Sequence, residues 1–260
     1  MNQRIGNKMM VFAPHPDDET LACGGTIIKK IEQGFDVHVT VMTDGRHSHD
    51  ATLGLTEPSP ETIAEIRAKE FNEATSILRI NPNNLTLLRF EDGKLKEHTT
   101  EAREKTVQIL RQVRPSQIYM PHRNDANEDH RTTHKIVAQA VTEAHLHPKT
   151  YEYLVWNGTI HEPDLKAIVI NIHTELGRKI EAISKYKSQT STCFPKQKKP
   201  VLSQEFVNRF RSENETFYTK RTRVFRNSDA TRPTYARNAY RGTNSGESLR
   251  LYRVVFKPEC

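Results

Sequence analysis

A short stretch near the amino terminus constrains the fold most, because it joins a strand pattern to a helix pattern through a cluster of polar side chains. Residues 9–13 form an apolar run typical of a buried strand, and residues 20–33 carry apolar side chains at helical spacing. Between them, residues 14–19 read Pro-His-Pro-Asp-Asp-Glu. Because ligands bind at the carboxyl ends of strands in open α/β sheets, this turn is a candidate site.

The side chains of this first turn suit a divalent metal. Asp17 and Asp18 repel each other, and each raises the pKa of the other unless a cation compensates. His15 lies just before them between two prolines that restrict the backbone, and histidine and carboxylate are both zinc ligands. The alternative is a solvated acidic loop in which one aspartate caps the following helix. The histidine, the prolines and the preceding strand favour the metal site.

The rest of the chain alternates strand and helix patterns, which predicts an α/β protein with a parallel sheet. Apolar or β-branched runs predict strands at 37–42, 85–90, 117–120, 150–156 and 167–172. Helical spacing of apolar residues predicts helices at 61–78, 99–113 and 174–187, and a further helix from Thr132 onward. Residues 46–60 lack periodicity and predict a loop that overhangs the first turn. We expect His47 and His49, in that loop, to be exposed, with contact to a substrate as the alternative.

A second polar turn follows the predicted strand at 117–120. Residues 121–130 read Pro-His-Arg-Asn-Asp-Ala-Asn-Glu-Asp-His, and a helix pattern begins directly afterwards. Polar residues therefore crowd a second strand-to-helix junction of the same kind.

The two turns resemble the motifs of the PIG-L/LmbE-like de-N-acetylase family. The first motif continues with Leu21 and the pair Gly24-Gly25, and the resemblance spans about residues 8–218. Members are zinc-dependent and remove acetyl groups from N-acetylglucosamine-type sugars. The resemblance implies a Rossmann-like, LmbE-like three-layer domain with a mostly parallel sheet over residues 1–218, and it leaves 219–260 as a basic carboxyl-terminal extension.

The resemblance also implies roles for individual residues of both turns. His15, Asp18 and His130 would bind zinc, with another divalent metal such as Fe²⁺ as the alternative. Asp17 would take a proton from water and pass it to the amine. Asp129 would be a carboxylate that supports the neighbouring His130.

One position departs from the family pattern. Many members have a histidine three residues before the last metal ligand, where this chain has Asn127. An asparagine can donate a hydrogen bond to a developing oxyanion, but it cannot deliver a proton. Either Asp17 carries the proton alone, or His122, His134 or Asp125 substitutes, or the enzyme is slow.

Two softer motifs indicate where a sugar would bind. Arg67 and Glu70 are three residues apart and share a helix face, which is ordinarily a surface ion pair of little energetic value. The family has Arg-x-x-Glu at this point, and its arginine helps to hold the sugar. Asp92, in an Asp-Gly turn, resembles the family aspartate that approaches sugar hydroxyls. We expect Trp156 to be a core or pocket-wall aromatic.

Composition narrows the functional classes. No apolar run approaches the length of a membrane-spanning helix, and no signal peptide is visible, so a cytoplasmic location is expected. Three widely spaced cysteines make neither a disulfide framework nor a thiolate zinc site. Residues 220–260 hold ten Lys and Arg against three acids, which accounts for the formal charge of +7 of the whole chain. That stretch either contacts nucleic acid, phosphate or an anionic membrane, or is a surface segment made soluble by arginine.

The sequence therefore predicts a zinc-dependent hydrolase that removes the acetyl group from an N-acetylglucosamine-type sugar or its conjugate. An amidase that cleaves a different amide, such as an acyl-cysteinyl conjugate, is the second hypothesis. The third is a catalytically weak protein that binds an anionic glycan or another polyanion, which Asn127 and the basic extension motivate. A small-molecule amino sugar is the expected partner, and a homo-oligomer is left open.

Overall fold

The computed structural model describes residues 7–157 and 162–221. The strands are β1 (Lys8–Ala13), β2 (Asp36–Thr43), β3 (Leu85–Phe90), β4 (Gln117–Pro121), β5 (Lys149–Tyr153), β6 (Leu165–Asn171) and β7 (Asn214–Lys220). The helices are α1 (Asp18–Glu32), α2 (Asp50–Leu53), α3 (Pro60–Ile77), α4 (Thr99–Val113), α5 (Glu128–Glu143), α6 (Leu176–Ile183), α7 (Lys187–Thr190) and α8 (Gln204–Asn208). Two short 3₁₀ helices lie at Pro82–Asn84 and Leu95–His98.

The seven strands form one sheet in the order β3-β2-β1-β4-β5-β7-β6. The first five strands are parallel to one another, and β7 runs antiparallel to both of its neighbours. This arrangement confirms the predicted α/β class and the mostly parallel sheet. Among the described residues, no helix is both long enough and apolar enough to span a bilayer.

Helices cover both faces of the sheet, and strand β1 shows how the three layers are specified. Met9, Val11 and Ala13 belong to a core shared with α1, α3 and α6. Met10 and Phe12, which alternate with them, belong to a second core shared with α4 and α5. Because successive strand side chains point to opposite faces, an uninterrupted apolar run is what a strand buried on both sides requires.

The strand order places both polar turns at one position of the sheet. The order reverses between β1 and β4, which are parallel neighbours, with Met9 paired to Gln117. The first polar turn leaves the carboxyl end of β1, and the second leaves the carboxyl end of β4. This switch point is where open α/β sheets form a crevice for ligands.

A buried ion pair fastens α1 to the antiparallel end of the sheet. A side chain on Gly25 would lie 2.4 Å from Cδ1 of Ile172, so only glycine allows this approach. The Glu215 carboxylate accepts hydrogen bonds from the backbone N–H groups of Gly25 (2.9 Å) and Thr26 (2.8 Å) and from Nζ of Lys179 (2.7 Å). Gly25 of the first motif therefore lets α1 pack closely against this end of the sheet.

Several predicted boundaries differ from the structure. The strand predicted at 150–156 ends at Tyr153, the helix predicted from Thr132 begins at Glu128, and α2 lies within the loop predicted at 46–60. The helix predicted at 174–187 is divided into α6, which ends at Ile183, and α7, which begins at Lys187, and Tyr186 between them has a non-helical ψ of 57°. The domain boundary predicted at 218 falls inside β7, which continues to Lys220. From residue 222 onward, the predicted basic extension lies outside the described residues.

Candidate metal centre and active site

The first polar turn is buried, although its side chains are charged. The exposed fractions are 8% for His15, 5% for Asp17, 2% for Asp18 and zero for Glu19. Asp17 immediately precedes α1, but its carboxylate makes no capping hydrogen bond. The solvated acidic loop that the sequence left open is therefore wrong.

Asp17 has a backbone conformation that non-glycine residues rarely adopt, with φ of +134°. Such conformations cost of order 1–3 kcal/mol and persist only where the surroundings impose them. Here the backbone N–H of Asp17 donates to a Glu19 carboxylate oxygen at 3.1 Å, and Leu21 N–H donates to the Asp17 carbonyl at 2.8 Å. The twisted backbone lets two adjacent aspartates present their carboxylates to different partners.

The second turn is shaped by Asn127 at the amino end of α5. Its side-chain oxygen accepts hydrogen bonds from the backbone N–H groups of Asp129 (2.8 Å) and His130 (3.3 Å). Asparagine is a preferred residue at this capping position. The cap fixes the first turn of α5, on which both Asp129 and His130 lie.

Side chains of the two turns meet at Asp18. One Asp18 oxygen lies 3.2 Å from Nδ1 of His15 and 3.2 Å from Nε2 of His130, and the two ring centroids are 5.4 Å apart. Burial alone would raise the pKa of Asp18, but the adjacent His130 and His15 rings hold it well below its usual range. These three residues each offer a ligand atom, all within 4.8 Å of one another.

The fully buried ring of His130 is the observation that fits a metal at this point. Neither of its nitrogens has a partner with hydrogen-bond geometry among the described residues, although carboxylate oxygens lie nearby. Buried polar atoms are seldom left unpaired, and an unpaired imidazole beside a carboxylate fits the role of a metal ligand. Two imidazoles and one carboxylate form a donor set suited to a divalent metal with an open position.

Further carboxylates face the remaining nitrogens of the two histidines. Nε2 of His15 lies 3.1 Å from Asp92 and 3.5 Å from Asp129, while Nδ1 of His130 lies 3.6 Å from Asp125. Although burial opposes the charged ring, Asp92 raises the pKa of His15 well above its usual value. In turn, and against burial, His15 lowers the pKa of Asp92 to about 2. Carboxylates in such positions commonly orient metal-binding histidines.

This arrangement corrects the predicted partner of Asp129. We expected its carboxylate beside His130, its neighbour in the sequence, but it lies beside His15 and also accepts the N–H of Gly93 at 2.8 Å. Residues adjacent on a helix point about 100° apart, so neighbours in sequence rarely share a partner. His15, Asp92 and Asp129 themselves converge within 4.8 Å as a second group of candidate ligands.

Arg67 is buried beneath Asp17 instead of forming a surface ion pair. Its Nη2 donates to the Asp17 carboxylate (3.0 Å) and to the Pro16 carbonyl (2.6 Å), and its Nη1 donates to the Gly45 carbonyl (3.0 Å). Burial raises the pKa of Asp17 well above its usual range, and the Arg67 guanidinium opposes that rise. Glu70 is also buried, and its carboxylate accepts hydrogen bonds from Ser188.

The charged groups open into a cavity of about 260 Å³. Its polar lining includes His15, Asp17, Asp18, His47, Ser48, Arg67, Asp92, Asn127 and Gln189. Its apolar lining includes Leu21, Ala51, Val155, Trp156, Val201, Leu202 and Phe206. An apolar pocket with a few convergent polar groups is the usual form of a small-molecule site.

Comparison with known proteins identifies the family. The family model described as PIG-L, GlcNAc-PI de-N-acetylase, matches residues 10–141. A probable N-acetyl-alpha-D-glucosaminyl L-malate deacetylase 2 of Bacillus cereus is 30% identical over 191 residues, covering 70% of this chain and 83% of that protein. The chain belongs to the PIG-L family.

Two further relatives of this PIG-L protein are diacetylchitobiose deacetylases. The one from Thermococcus kodakarensis is 32% identical over 144 residues, and the match spans about half of each chain, 54% and 51%. The crystal structure of the one from Pyrococcus horikoshii, bound to an inhibitor, has a TM-score of 0.56 at 25% identity and covers 73% of this chain and 72% of that one.

The two histidines of the loop at 46–60 are less exposed than expected. His49 is 1% exposed, so its predicted exposure is wrong, and His47 is only partly exposed, between Asp50 and Glu91. Nδ1 of His122 accepts a hydrogen bond from the Asn124 backbone N–H. Nδ1 of His134 forms a hydrogen bond with the Pro121 carbonyl. Neither of those two rings lines the described cavity of this PIG-L protein.

Sequence reasoning missed two buried carboxylates that position the PIG-L site. Asp125 was considered only as a proton donor, but it faces His130 and accepts the backbone N–H groups of Val155 (3.0 Å) and Trp156 (3.3 Å). Glu19 holds the Asp17 backbone and accepts the Tyr186 hydroxyl, and burial raises its pKa. Only the positions of Asp125 and Glu19 within the two motifs could have indicated from the sequence that these carboxylates belong to the site.

Proposed function

We propose that this PIG-L protein is a metal-dependent hydrolase that removes the acetyl group from an N-acetylglucosamine-type sugar or its conjugate. The relatives carry the names of deacetylases that act on such compounds. The observation that carries the proposal is the Asp18 oxygen, which lies 3.2 Å from a nitrogen of His15 and 3.2 Å from a nitrogen of His130.

His15, Asp18 and His130 would hold the metal, which we propose to be zinc, although Fe²⁺ suits the same nitrogen and oxygen ligands. When bound, the metal polarises the acetyl carbonyl and lowers the pKa of a bound water to about 7. Asp92 and Asp129 would keep His15 oriented, and Asp125 would do the same for His130.

Asp17 would move the proton. Its carboxylate is buried, lines the cavity and is held by Arg67, so it is fixed in place for proton transfer. It would take a proton as water oxygen bonds to the acetyl carbon. It would then give that proton to the sugar nitrogen as the C–N bond breaks, which releases acetate and the free amine.

Asn127 would contribute a hydrogen bond and no proton. Its side-chain oxygen is committed to the cap of α5, which leaves the amide N–H₂ as the free end in the cavity lining. That donor suits the oxyanion that develops from the acetyl carbonyl. Because His122 and His134 lie outside the described lining, we propose that Asp17 makes both proton transfers.

Arg67 and Asp92 would contact sugar hydroxyls from the cavity wall. Each has a structural partner as well, since Arg67 donates to Asp17 and Asp92 faces His15. We therefore expect substitution of either residue to change both the Michaelis constant and turnover. Anion binding by 219–260, homo-oligomerisation and a cytoplasmic location stay predictions from sequence.

Amine release from a panel of N-acetylglucosaminides, measured together with bound metal, tests the proposal. Asp17→Asn should keep the metal and lower kcat by about 10²–10⁴-fold, the contribution usual for a general base. Asp18→Asn, the matched change one residue away, should lose the metal. Cleavage of thiol conjugates without release of acetate from any sugar would favour the amidase hypothesis, and equal loss of metal in both variants would reverse the two aspartate roles.

A further inference from the structure

A second cavity lies at the end of the sheet opposite the candidate metal centre. Its volume is about 270 Å³, close to the volume of about 260 Å³ of the catalytic cavity, and the two described linings share no residue. It is bordered by the first residues of β1, β2 and β3, by the 3₁₀ helix at Pro82–Asn84 and by the last residues of α4. Met10 in its lining lies three residues before Ala13, where β1 ends, which is about 10 Å at about 3.3 Å per residue. We call this space the amino-end cavity.

Strand β2 has different side chains on its two faces. Val37, Val39 and Val41 belong to the core shared with α1, α3 and α6. His38 and Thr40 alternate with them and line the amino-end cavity, although a strand buried in a parallel sheet is ordinarily apolar on both faces. Thr40 is buried, and its Oγ1 has no hydrogen-bond partner among the described residues. Since buried hydroxyls are seldom left unpaired, this one is free to bond a molecule that enters the cavity.

Asp36 orients two hydrogen-bond acceptors of the amino-end cavity. Its carboxylate lies 3.0 Å from Nε2 of His38 and accepts an N–H of the Asn84 amide at 2.6 Å. Because an ionised carboxylate can only accept, Nε2 of His38 carries a proton and Nδ1 of the neutral ring is an acceptor. The Asn84 amide nitrogen also donates to the Val37 carbonyl at 3.1 Å, so its Oδ1 is the free end. Both residues line the cavity, which therefore offers a ring nitrogen and an amide oxygen to a ligand.

The charges around the amino-end cavity favour a neutral ligand. Its described lining contains one lysine, Lys8, and no carboxylate, and Nζ of Lys8 lies 4.0 Å from the Asp36 carboxylate. Although burial opposes it, His38 and Asn84 hold the pKa of Asp36 below its usual value. The ionised carboxylate therefore balances the lysine ammonium. A charged ligand would lose hydration without gaining an opposite charge of its own.

Size and apolar surface indicate a flat ring. Met10, Ile109 and Val113 contribute aliphatic side chains, and proteins that enclose a single base hold it between apolar or aromatic side chains. The volume lies just below the lower limit of about 300 Å³ typical of small-molecule sites, which suits a single ring system. An amino group conjugated to such a ring supplies two N–H donors in the plane of the ring.

From these observations we propose that the amino-end cavity binds a neutral aromatic heterocycle with an amino substituent, such as the adenine ring of a nucleoside. The N–H groups of the substituent donate to Nδ1 of His38 and Oδ1 of Asn84, and the aliphatic side chains cover the ring. This site is additional to the proposed deacetylase site and does not rest on it.

Titration calorimetry on the unsubstituted protein tests the proposal with adenosine and with purine riboside, which has hydrogen in place of the amino group. Adenosine should bind saturably, and purine riboside should bind about tenfold or more weakly, because two hydrogen bonds are lost. Equal affinities would overturn the proposal. Absence of adenosine binding at about 1 mM, where a site with that dissociation constant is half occupied, would overturn it too. Because the readout is binding, absence of acetate release from every sugar would refute the proposed function and leave this result standing.

Three variants locate the site. His38→Phe keeps a ring but removes the acceptor, and it should lower the preference for adenosine over purine riboside about fivefold. His173→Phe is the matched control and should keep the preference, because His173 also pairs with a carboxylate, that of Glu213 at 2.9 Å, but lies outside the described lining. Asp18→Asn, which should lose the metal, should bind adenosine with unchanged affinity. An unchanged preference in His38→Phe, or loss of adenosine binding in Asp18→Asn, would overturn the proposal.

Discussion

Gly45 supports Asp17 through Arg67, and its replacement by alanine tests that support. Gly45 has φ of +67°, and a side chain there would lie 2.3 Å from Nη1 of Arg67 and 2.5 Å from its Cζ. The Gly45→Ala variant must therefore displace the guanidinium that donates to Asp17 at 3.0 Å. The three proposed metal ligands remain unchanged in this variant.

The structure also sets the expected magnitude. An alanine in the left-handed region costs about 1–2 kcal/mol. Loss of hydrogen bonds from the charged guanidinium adds about 1.5–3 kcal/mol, so the free energy of unfolding should fall by about 2.5–5 kcal/mol in total. Gly54→Ala is the matched control, because Gly54 has φ of +66° and no described atom within 4 Å of the added carbon. Gly54→Ala should lower the free energy of unfolding only by the about 1–2 kcal/mol of an alanine in the left-handed region.

Urea unfolding, bound metal and kcat should be measured on both variants. We expect Gly45→Ala to lower kcat at least tenfold while metal per chain stays constant, because misplacement of a catalytic group by about 1 Å can cost about 10²-fold. Gly54→Ala should keep kcat. If both variants lost the same stability and Gly45→Ala kept full turnover, Arg67 would not be what positions Asp17.

Two further substitutions test the packing that holds the site in place. Lys179→Met would leave the buried Glu215 carboxylate without its cation. We expect calorimetry to show that the free energy of unfolding falls by about 3–5 kcal/mol. An unchanged melting temperature would refute a stabilising role for this ion pair. Gly25→Ala places a carbon 2.4 Å from Ile172 and should cost about 1–3 kcal/mol in urea unfolding. Gly177→Ala is the control, because Gly177 lies in α6 and no described atom is within 4 Å of the added carbon. This variant should raise the free energy of unfolding by up to about 1 kcal/mol. Equal effects of the two alanines would contradict the close contact at Gly25.

The fold could be predicted from local patterns, because strands β1 to β4 are apolar or β-branched runs and a helix of clear periodicity lies between each of them and the next strand. The strand predicted at 85–90 and the helix predicted at 99–113 have those bounds in the structure. The helix predicted at 174–187 was wrong in one respect. Its apolar spacing continues beyond Ile183, where α6 ends. Tyr186, which follows, has a non-helical backbone, a buried ring and a hydroxyl that donates to Glu19.

The candidate site could be predicted as two turns but not as a network of partners. The motifs placed His15, Asp18 and His130 at strand ends, and the strand order brings those ends together. Which carboxylate faces which ring depends on the path of the second turn for Asp125 and on side-chain direction around α5 for Asp129, so neither could be assigned from sequence. The positive φ of Asp17 likewise arises from contacts between distant segments.

The most direct test of the account is amine release from an N-acetylglucosaminide, followed as metal is returned to protein that has been stripped by a chelator. If His15, Asp18 and His130 hold the catalytic metal, activity should be absent in the stripped protein and should rise in proportion to bound metal up to one ion per chain. Full activity in protein shown to contain no metal would contradict the account.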